Sequence, residues 1–373
     1  MKVALVYDRV NKWGGAERLL LTLHQIWPQA PLYTAVYHPQ RAAWADRFKV
    51  IPSFLNSFPF ASTHHEIYPY LMPFAFESFD FKGYDLVVSV TSEAAKGVIT
   101  KPETFHLCYC LTPTRYLWSG YDDYFQNKVF RFLSRPLVAY LRLWDKVAAQ
   151  RPDAYLAVSK NVQRRIKRYY GRDSRVIYPP VDLTKFKVQS SKFKFSSGDS
   201  QFFLIVSRLV AYKRVDLAIR AFNELGLPLK IIGVGDQMAR LKRKARRNIE
   251  FLGRLTDSQL LVYYQRCWAV VFPQEEDFGL VPLEAQACGK PVIAFKGGGA
   301  LETVIEGKTG IFFFPQNSAA LIRAVRSFRP EKFDSLVCRR NAERFAGRKF
   351  EKEITRFVKN QCQKKQPKNI CLS

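Results

Sequence analysis

Several common chemistries are missing from this sequence. It has no Cys-x-x-Cys pair and no cysteine and histidine cluster, so nothing in it suggests a zinc site. Its seven cysteines are an odd, scattered set that reads as reduced thiols, and Cys108 and Cys110 alternate as two same-face residues of a strand do. The three-glycine dinucleotide fingerprint and the phosphate loop ending in Gly-Lys-Ser/Thr are both absent, which leaves a nicotinamide or ATP role without support. No apolar run approaches the length of a membrane span, and the chain enters KVALVY without a charged-then-apolar leader, so the expectation is a cytoplasmic protein. Acid is scarce as well: 32 Asp and Glu stand against 59 Lys and Arg, a formal charge of +27. That balance predicts an anionic partner, and charge alone leaves nucleic acid, an anionic membrane surface and phosphorylated small molecules all open.

What is present is alternation. At 373 residues the chain is long enough for two domains, each with its own core. Short β-rich apolar runs at 3–7, 32–36, 86–90, 105–110 and 155–158 are separated in several places by helix-spaced stretches, the first at 16–27. The pattern pauses at VIYPPVD, 176–182, where paired prolines forbid a helix, and passes through the Ser/Lys-rich stretch 190–200. It then resumes with strands at 202–206, 229–232, 249–252, 269–272 and 291–294 and helices at 215–225, to about 247, 257–265 and up to 288. Continuous apolar strands alternating with helices imply parallel sheets covered on both faces, an α/β protein. The divisions are 1–180, 181–348, and a basic helix and tail over 349–373 that is expected to be mobile at its end.

Four loops at predicted strand ends of the second half carry the chemistry. The densest is PQEEDFGLVPLEA, 273–285, closed by Gly289: carboxylates in a loop, then a helix whose first amides point back at it and attract phosphate. Glu276 in the loop and Glu284 a turn inside the helix suit the hydroxyls of a nucleotide sugar better than acid/base work, although Glu at a helix start also serves the dipole. Arg208 and Lys213, in SRLVAYK after the strand 202–206, are placed to meet a diphosphate, because ligands of open parallel sheets bind at strand carboxyl ends. Gly297, Gly298 and Gly299 before Glu302, and Gly233 and Gly235, are further glycine turns of the same kind. In the first half, Gly14 and Gly15 open a helix where backbone could approach a ligand. His106, alone on its strand, reads as structural. Two aromatic stretches stand out: Phe74 to Phe81, and Phe125, Phe130, Phe132, Tyr140 and Trp144 among Lys128, Arg131, Arg135 and Arg142. Both read either as membrane-facing amphipathic segments or as core aromatics with solvated charges.

On Glu276 to Glu284 with Gly289, Arg208, Lys213, the glycine loop before Glu302, Gly14-Gly15 and the YPPVD run, the chain resembles the retaining glycosyltransferases of family four. CYC at 108–110 followed by TPTRYLW at 112–118 is similar to the mannosyltransferase-like branch that serves bacterial surface polysaccharides. The resemblance covers essentially the whole chain. It implies the GT-B fold, two facing Rossmann-like domains with a cleft between them, the first (1–180) on the acceptor side, the second (181–348) binding the nucleotide sugar, and the last helix crossing back. It implies that Arg208 and Lys213 neutralise the donor diphosphate, Glu276 holds the transferred sugar and Glu284 binds the ribose. The backbone at Phe278, Gly279 and Leu280 would help with the phosphates, and Gly14 and Gly15 would let the first domain close on them. No metal is expected, because basic side chains and helix N-termini can stabilise the leaving group. The expected partners are a nucleotide sugar and a lipid-linked or polysaccharide acceptor, at an anionic membrane surface on the inner face of the plasma membrane, with no nucleic acid. One departure from the pattern is Leu111, where many members place a histidine that contacts the sugar. Two alternatives stand beside this reading: a basic nucleic-acid-binding protein using RLKRKARR at 240–247, and a nucleotide-sugar epimerase on the same fold.

Overall fold

The computed structural model describes residues 1–186 and 201–365; the Ser/Lys-rich stretch 190–200 and the end of the basic tail lie outside the described residues. The chain divides into two compact units. One takes residues 1–179 together with the C-terminal helix from Phe350 onward, and the other takes residues 180–349.

The first unit is built on a seven-stranded sheet of β1 (Val3–Tyr7), β2 (Leu32–Thr34), β3 (Val50–Pro52), β4 (Leu86–Thr91), β5 (Phe105–Cys110), β6 (Ala154–Ala157) and β7 (Arg175–Val176). The spatial order is β3-β2-β1-β4-β5-β6-β7, every pair parallel. β1, β4 and β5 are buried along their whole length, as continuous apolar runs covered on both faces must be. The second unit has a six-stranded parallel sheet of β8 (Phe203–Val206), β9 (Leu229–Ile232), β10 (Ile249–Gly253), β11 (Ala269–Phe272), β12 (Val292–Phe295) and β13 (Gly310–Phe313), in the order β10-β9-β8-β11-β12-β13. Both sheets reverse their winding beside their first strand, between β1 and β4 and between β8 and β11. At such a switch point the loops leave in opposite directions and open a crevice.

Helices form where apolar residues recur at helical spacing. Val215–Leu225 buries Val215, Leu217, Ala218, Ile219, Ala221 and Phe222 against one face of the second sheet and stops at Gly226, whose φ of 68° is the left-handed conformation that ends a helix. The run at 240–247 yields a helix only over Met238–Lys244, with Leu241 buried and its cations outward. Past Lys244 there is no apolar stripe left to hold it. β3 and β7 escape sequence reading for a similar reason: they are short, partly exposed edge strands without a continuous apolar run, and β3 ends on a proline that an edge tolerates. Of the first aromatic stretch, Phe76 and Phe81 are core residues. The C-terminal helix Gly347–Lys365 meets the first unit through Phe350, edge-on to Tyr109 at 5.9 Å, and Phe357, beneath the Arg175 guanidinium.

Candidate active site

Four loops converge at the carboxyl edge of the second sheet, and glycine sets how closely they pack. Gly233, at φ 138°, lies so near Ser207 that a side chain would strike its carbonyl; Gly298 and Gly299 lie equally near the backbone of Glu276 and Phe278. Hydrogen bonds tie the loops together: Leu209 N donates to Val234 O (2.9 Å), Gln237 N to Leu209 O (2.9 Å) and Gly299 N to Glu276 O (2.8 Å). The glycine turns at 233–235 and 297–299 therefore support the two loops that carry charge.

Those two loops leave β8 and β11, neighbours across the switch point, and their charged residues meet there. Lys213, 7% exposed, forms an ion pair with Glu276. The lysine closes a single 3-10 turn, Ala211–Lys213, and Arg214 then takes the left-handed conformation at φ 52°, turning the chain into the helix Val215–Leu225. For a residue with a side chain this is a strained conformation, of the kind a site must hold in place. The Lys213 ammonium also lies over the Tyr212 ring at 4.9 Å, and the Tyr212 hydroxyl accepts from Arg208 Nη2 at 2.6 Å. Arg208 is exposed and Lys213 buried, so the two sequence-predicted cations stand at different depths of one loop.

The helix Leu280–Ala287 begins at Gly279, φ 88°, with no side-chain cap and no acid in its first turn. Its leading amides are thus available to an anion. Phe278, immediately before it, is buried and packs on Phe345 at 5.6 Å, which anchors the loop. Glu284 does not join Glu276: it is 4% exposed and accepts from Tyr264 Oη at 2.8 Å. Gln274, 2% exposed, keeps an Oε1 with no hydrogen-bond partner among the described residues. Nothing marks it in the sequence, because a glutamine in a loop ordinarily reads as solvated.

In the first unit Gly14 caps the helix Gly15–Ile26 in extended conformation, so no glycine-specific backbone angle is required there, and Gly15 is exposed. Three charged features at the strand ends escape sequence reasoning. Asp8, 1% exposed, accepts from the amides of Ser92, Glu93, Ala94 and Ala95 at 2.6 to 3.0 Å and from Thr91 Oγ1. Arg9 pairs with Glu93 at 2.5 Å. Lys96 and Asp145, each 1% exposed, pair at 2.5 Å, and Asp145 also accepts from Thr114 Oγ1 (2.9 Å) and Trp118 Nε1 (2.7 Å), so the TPTRYLW motif is held from below. His106 sits inside β5 with Nε2 2.8 Å from Ser89 Oγ, a structural placement. Leu111 donates its amide to Thr91 O at the end of the same strand.

His65 borders this cluster, 3.4 Å from Asn11 Nδ2 and 3.2 Å from Glu66. Burial first, then the Arg9 guanidinium, push it down to about 4 against the opposing pull of Glu66. Above pH 6.5 the ring is neutral folded and unfolded alike. Between 6.5 and 4 only the unfolded chain takes the proton, so stability falls on acidification through that window, by about 3 kcal/mol at one unit per 1.36 kcal/mol. His65→Gln, which keeps a polar partner for Asn11, is expected to flatten the stability profile measured by urea unfolding between pH 6.5 and 4.

Two parallel-sheet units of Rossmann type, the second with a cation and carboxylate pair at its switch point beside an uncapped helix start, define the class: the GT-B fold. Residues 13–185 match Glycosyltransferase Family 4 and residues 187–345 match Glycosyl transferases group 1; the two matches together span most of the chain, which belongs to the GT-B glycosyltransferases. Among its relatives are the D-rhamnosyltransferase WbpZ of Pseudomonas aeruginosa, 30% identical over 55% of this chain and 56% of that one, and the O-antigen chain mannosyltransferase C of Escherichia coli, 29% identical over 55% and 57%. The match spans little more than half the length of either relative. Sucrose-phosphate synthase from Thermosynechococcus elongatus shares the fold, with a TM-score of 0.75 at 18% identity over 97% of this chain and 99% of that one.

Proposed function

We propose that the protein transfers a hexosyl group, mannosyl first, from a nucleoside-diphosphate sugar to a lipid-linked or polysaccharide acceptor in surface glycan biosynthesis, with retention and without a metal. The observation that carries the donor half is the Lys213–Glu276 pair at the β8/β11 switch point. A diphosphate arriving there competes for the ammonium. Once Lys213 turns to the phosphates, Glu276 is released to accept hydrogen bonds from hydroxyls of the sugar. Arg208 and the first amides of Leu280–Ala287 add positive potential around the leaving group, which is why no divalent cation is required of the mechanism. Glu284, held by Tyr264, supplies a fixed carboxylate for the ribose. The acceptor hydroxyl attacks on the face the leaving group departs from, and the departing phosphate takes its proton. The mannosyl preference follows the TPTRYLW motif and the named activity of the E. coli relative. The +27 charge supports work at an anionic membrane surface, on the cytoplasmic side.

The test is thermal unfolding with GDP, UDP, ADP and their sugars. One nucleotide is expected to stabilise the wild type by about 2.7 kcal/mol at a hundredfold excess over its Kd. Glu284→Gln, which preserves the bond from Tyr264, is expected to lose most of that shift. If no nucleotide shifts a folded wild-type protein, the donor site is wrongly placed.

A further inference from the structure

We infer that residues 124–147 of the first unit form a wedge that docks on an anionic lipid bilayer. This rests on the reading above in that it names the surface meeting the membrane, but its evidence lies away from the donor loops. The helix Lys128–Leu133 buries none of its residues, yet it presents Val129, Phe130, Phe132 and Leu133 at 57 to 69% exposure. The next helix, Arg135–Ala148, carries two apolar stripes. Val138, Leu141 and Ala148 face the domain with Asp145, while Tyr140, Leu143 and Val147, at 41, 67 and 54% exposure, form the opposite stripe at i, i+3 and i+7. A helix packed on one core needs a single stripe, so the outer one calls for a partner.

Charge says which partner. Lys128, Arg135 and Lys146 are interleaved with these side chains; Arg131 pairs with Asp122 at 2.8 Å beside the stretch, Arg142 donates Nε to Leu117 O, and between residues 124 and 150 the lone acid, Asp145, is buried against Lys96. Several cations lie over rings: Arg135 over Phe132 at 5.6 Å, Arg142 over Tyr121 at 4.7 Å. A second copy of the chain would bring like charges face to face. A bilayer with acidic headgroups accepts the apolar side chains at its acyl boundary and the cations at its phosphates. The longer helix has 14 residues, about 21 Å at 1.5 Å each, against about 30 Å of hydrocarbon, so the element lies on the membrane and does not cross it.

The experiment is cosedimentation with vesicles of phosphatidylcholine alone or mixed with phosphatidylglycerol, run beside nucleotide-dependent thermal unfolding and light scattering. Wild type is expected to bind the mixed vesicles. Phe130→Glu with Phe132→Glu should lower the partition coefficient at least tenfold. Lys128→Gln and Lys146→Gln should lower it about fivefold each, on the mixed vesicles only. All four positions are exposed, so unfolding temperature should not move. Equal vesicle binding by wild type and the phenylalanine variant overturns the proposal. So does absence of binding in a protein that nucleotide still stabilises, and that result leaves the donor reading standing. Vesicle binding without nucleotide stabilisation supports the wedge while the donor reading falls. A wild-type dimer that the variant turns into a monomer assigns the face to a second copy and also overturns it.

Discussion

Lys213→Ala is expected to lower kcat/KM by about 10²- to 10³-fold in a protein that remains folded, the loss typical of removing one preorganised group from a developing anion. The ammonium is buried at the strand switch point, against Glu276 and over the Tyr212 ring, which is where the proposed reaction develops its charge. Burial makes its field count for more than that of exposed Arg208, since less water screens it. Removing it also leaves the Glu276 carboxylate facing the diphosphate without a counter-charge. Steady-state kinetics with whichever donor stabilises the wild type provide the measurement, with Lys213→Ala/Glu276→Gln as the second arm. If repulsion by the bare carboxylate contributes, that double variant should recover part of the KM effect and none of the loss in kcat. Activity within threefold of wild type for Lys213→Ala would remove the lysine from the mechanism.

The second large effect belongs to the first unit. Asp145→Ala leaves the Lys96 ammonium buried with no counter-ion, and breaking one side of a buried pair costs about 3 to 5 kcal/mol. Trp118 Nε1 loses its acceptor as well, and Thr114 Oγ1 keeps only the Glu93 carbonyl at 3.2 Å. A fall in unfolding temperature of roughly 6 to 20 °C follows for a unit of this size. Burial alone would lower the lysine's pKa, but the charge of Asp145 and its hydrogen bond outweigh burial and raise it, so the ammonium stays charged. Because the folded pKa is raised, this contribution is complete below the lysine's unfolded value and declines only as pH rises through the folded one. In Asp145→Ala burial becomes the dominant influence on Lys96, which then sheds its proton more readily folded than unfolded, so the deficit should shrink as pH rises. Lys96→Met/Asp145→Leu, which removes both charges, should recover most of the stability, since well-packed apolar replacements of such pairs are often neutral. A loss under 2 °C in the single variant would mean that water or another group reaches Lys96.

Each of these sites was visible in the sequence to a different degree. Lys213, Arg208 and Glu276 stand out there because they follow predicted strands in loops where charge has no packing role, and Glu284 because it sits a turn inside the helix that such a loop opens. That Lys213 touches Glu276 while Glu284 turns inward to Tyr264 is not legible, because contact depends on strand order: β8 lies between β9 and β11, which brings together loops far apart in the chain. Asp8, Lys96 and Asp145 were invisible for the opposite reason. A single charge in a chain of +27 reads as solvated surface, and only the packed sheet shows that these three are buried. The two aromatic stretches read alike in sequence and separate in the fold, where Phe76 and Phe81 enter the core and Phe130 and Phe132 do not.

By itself the sequence determined the α/β class and put glycines and charged residues in the loops after the strands, since these follow from local alternation of apolar runs and from residue types at strand ends. Only the tertiary structure decided which charges pair, which are buried, and which apolar faces stay uncovered, because burial and pairing are properties of the packed sheet and its strand order and not of any local stretch of chain.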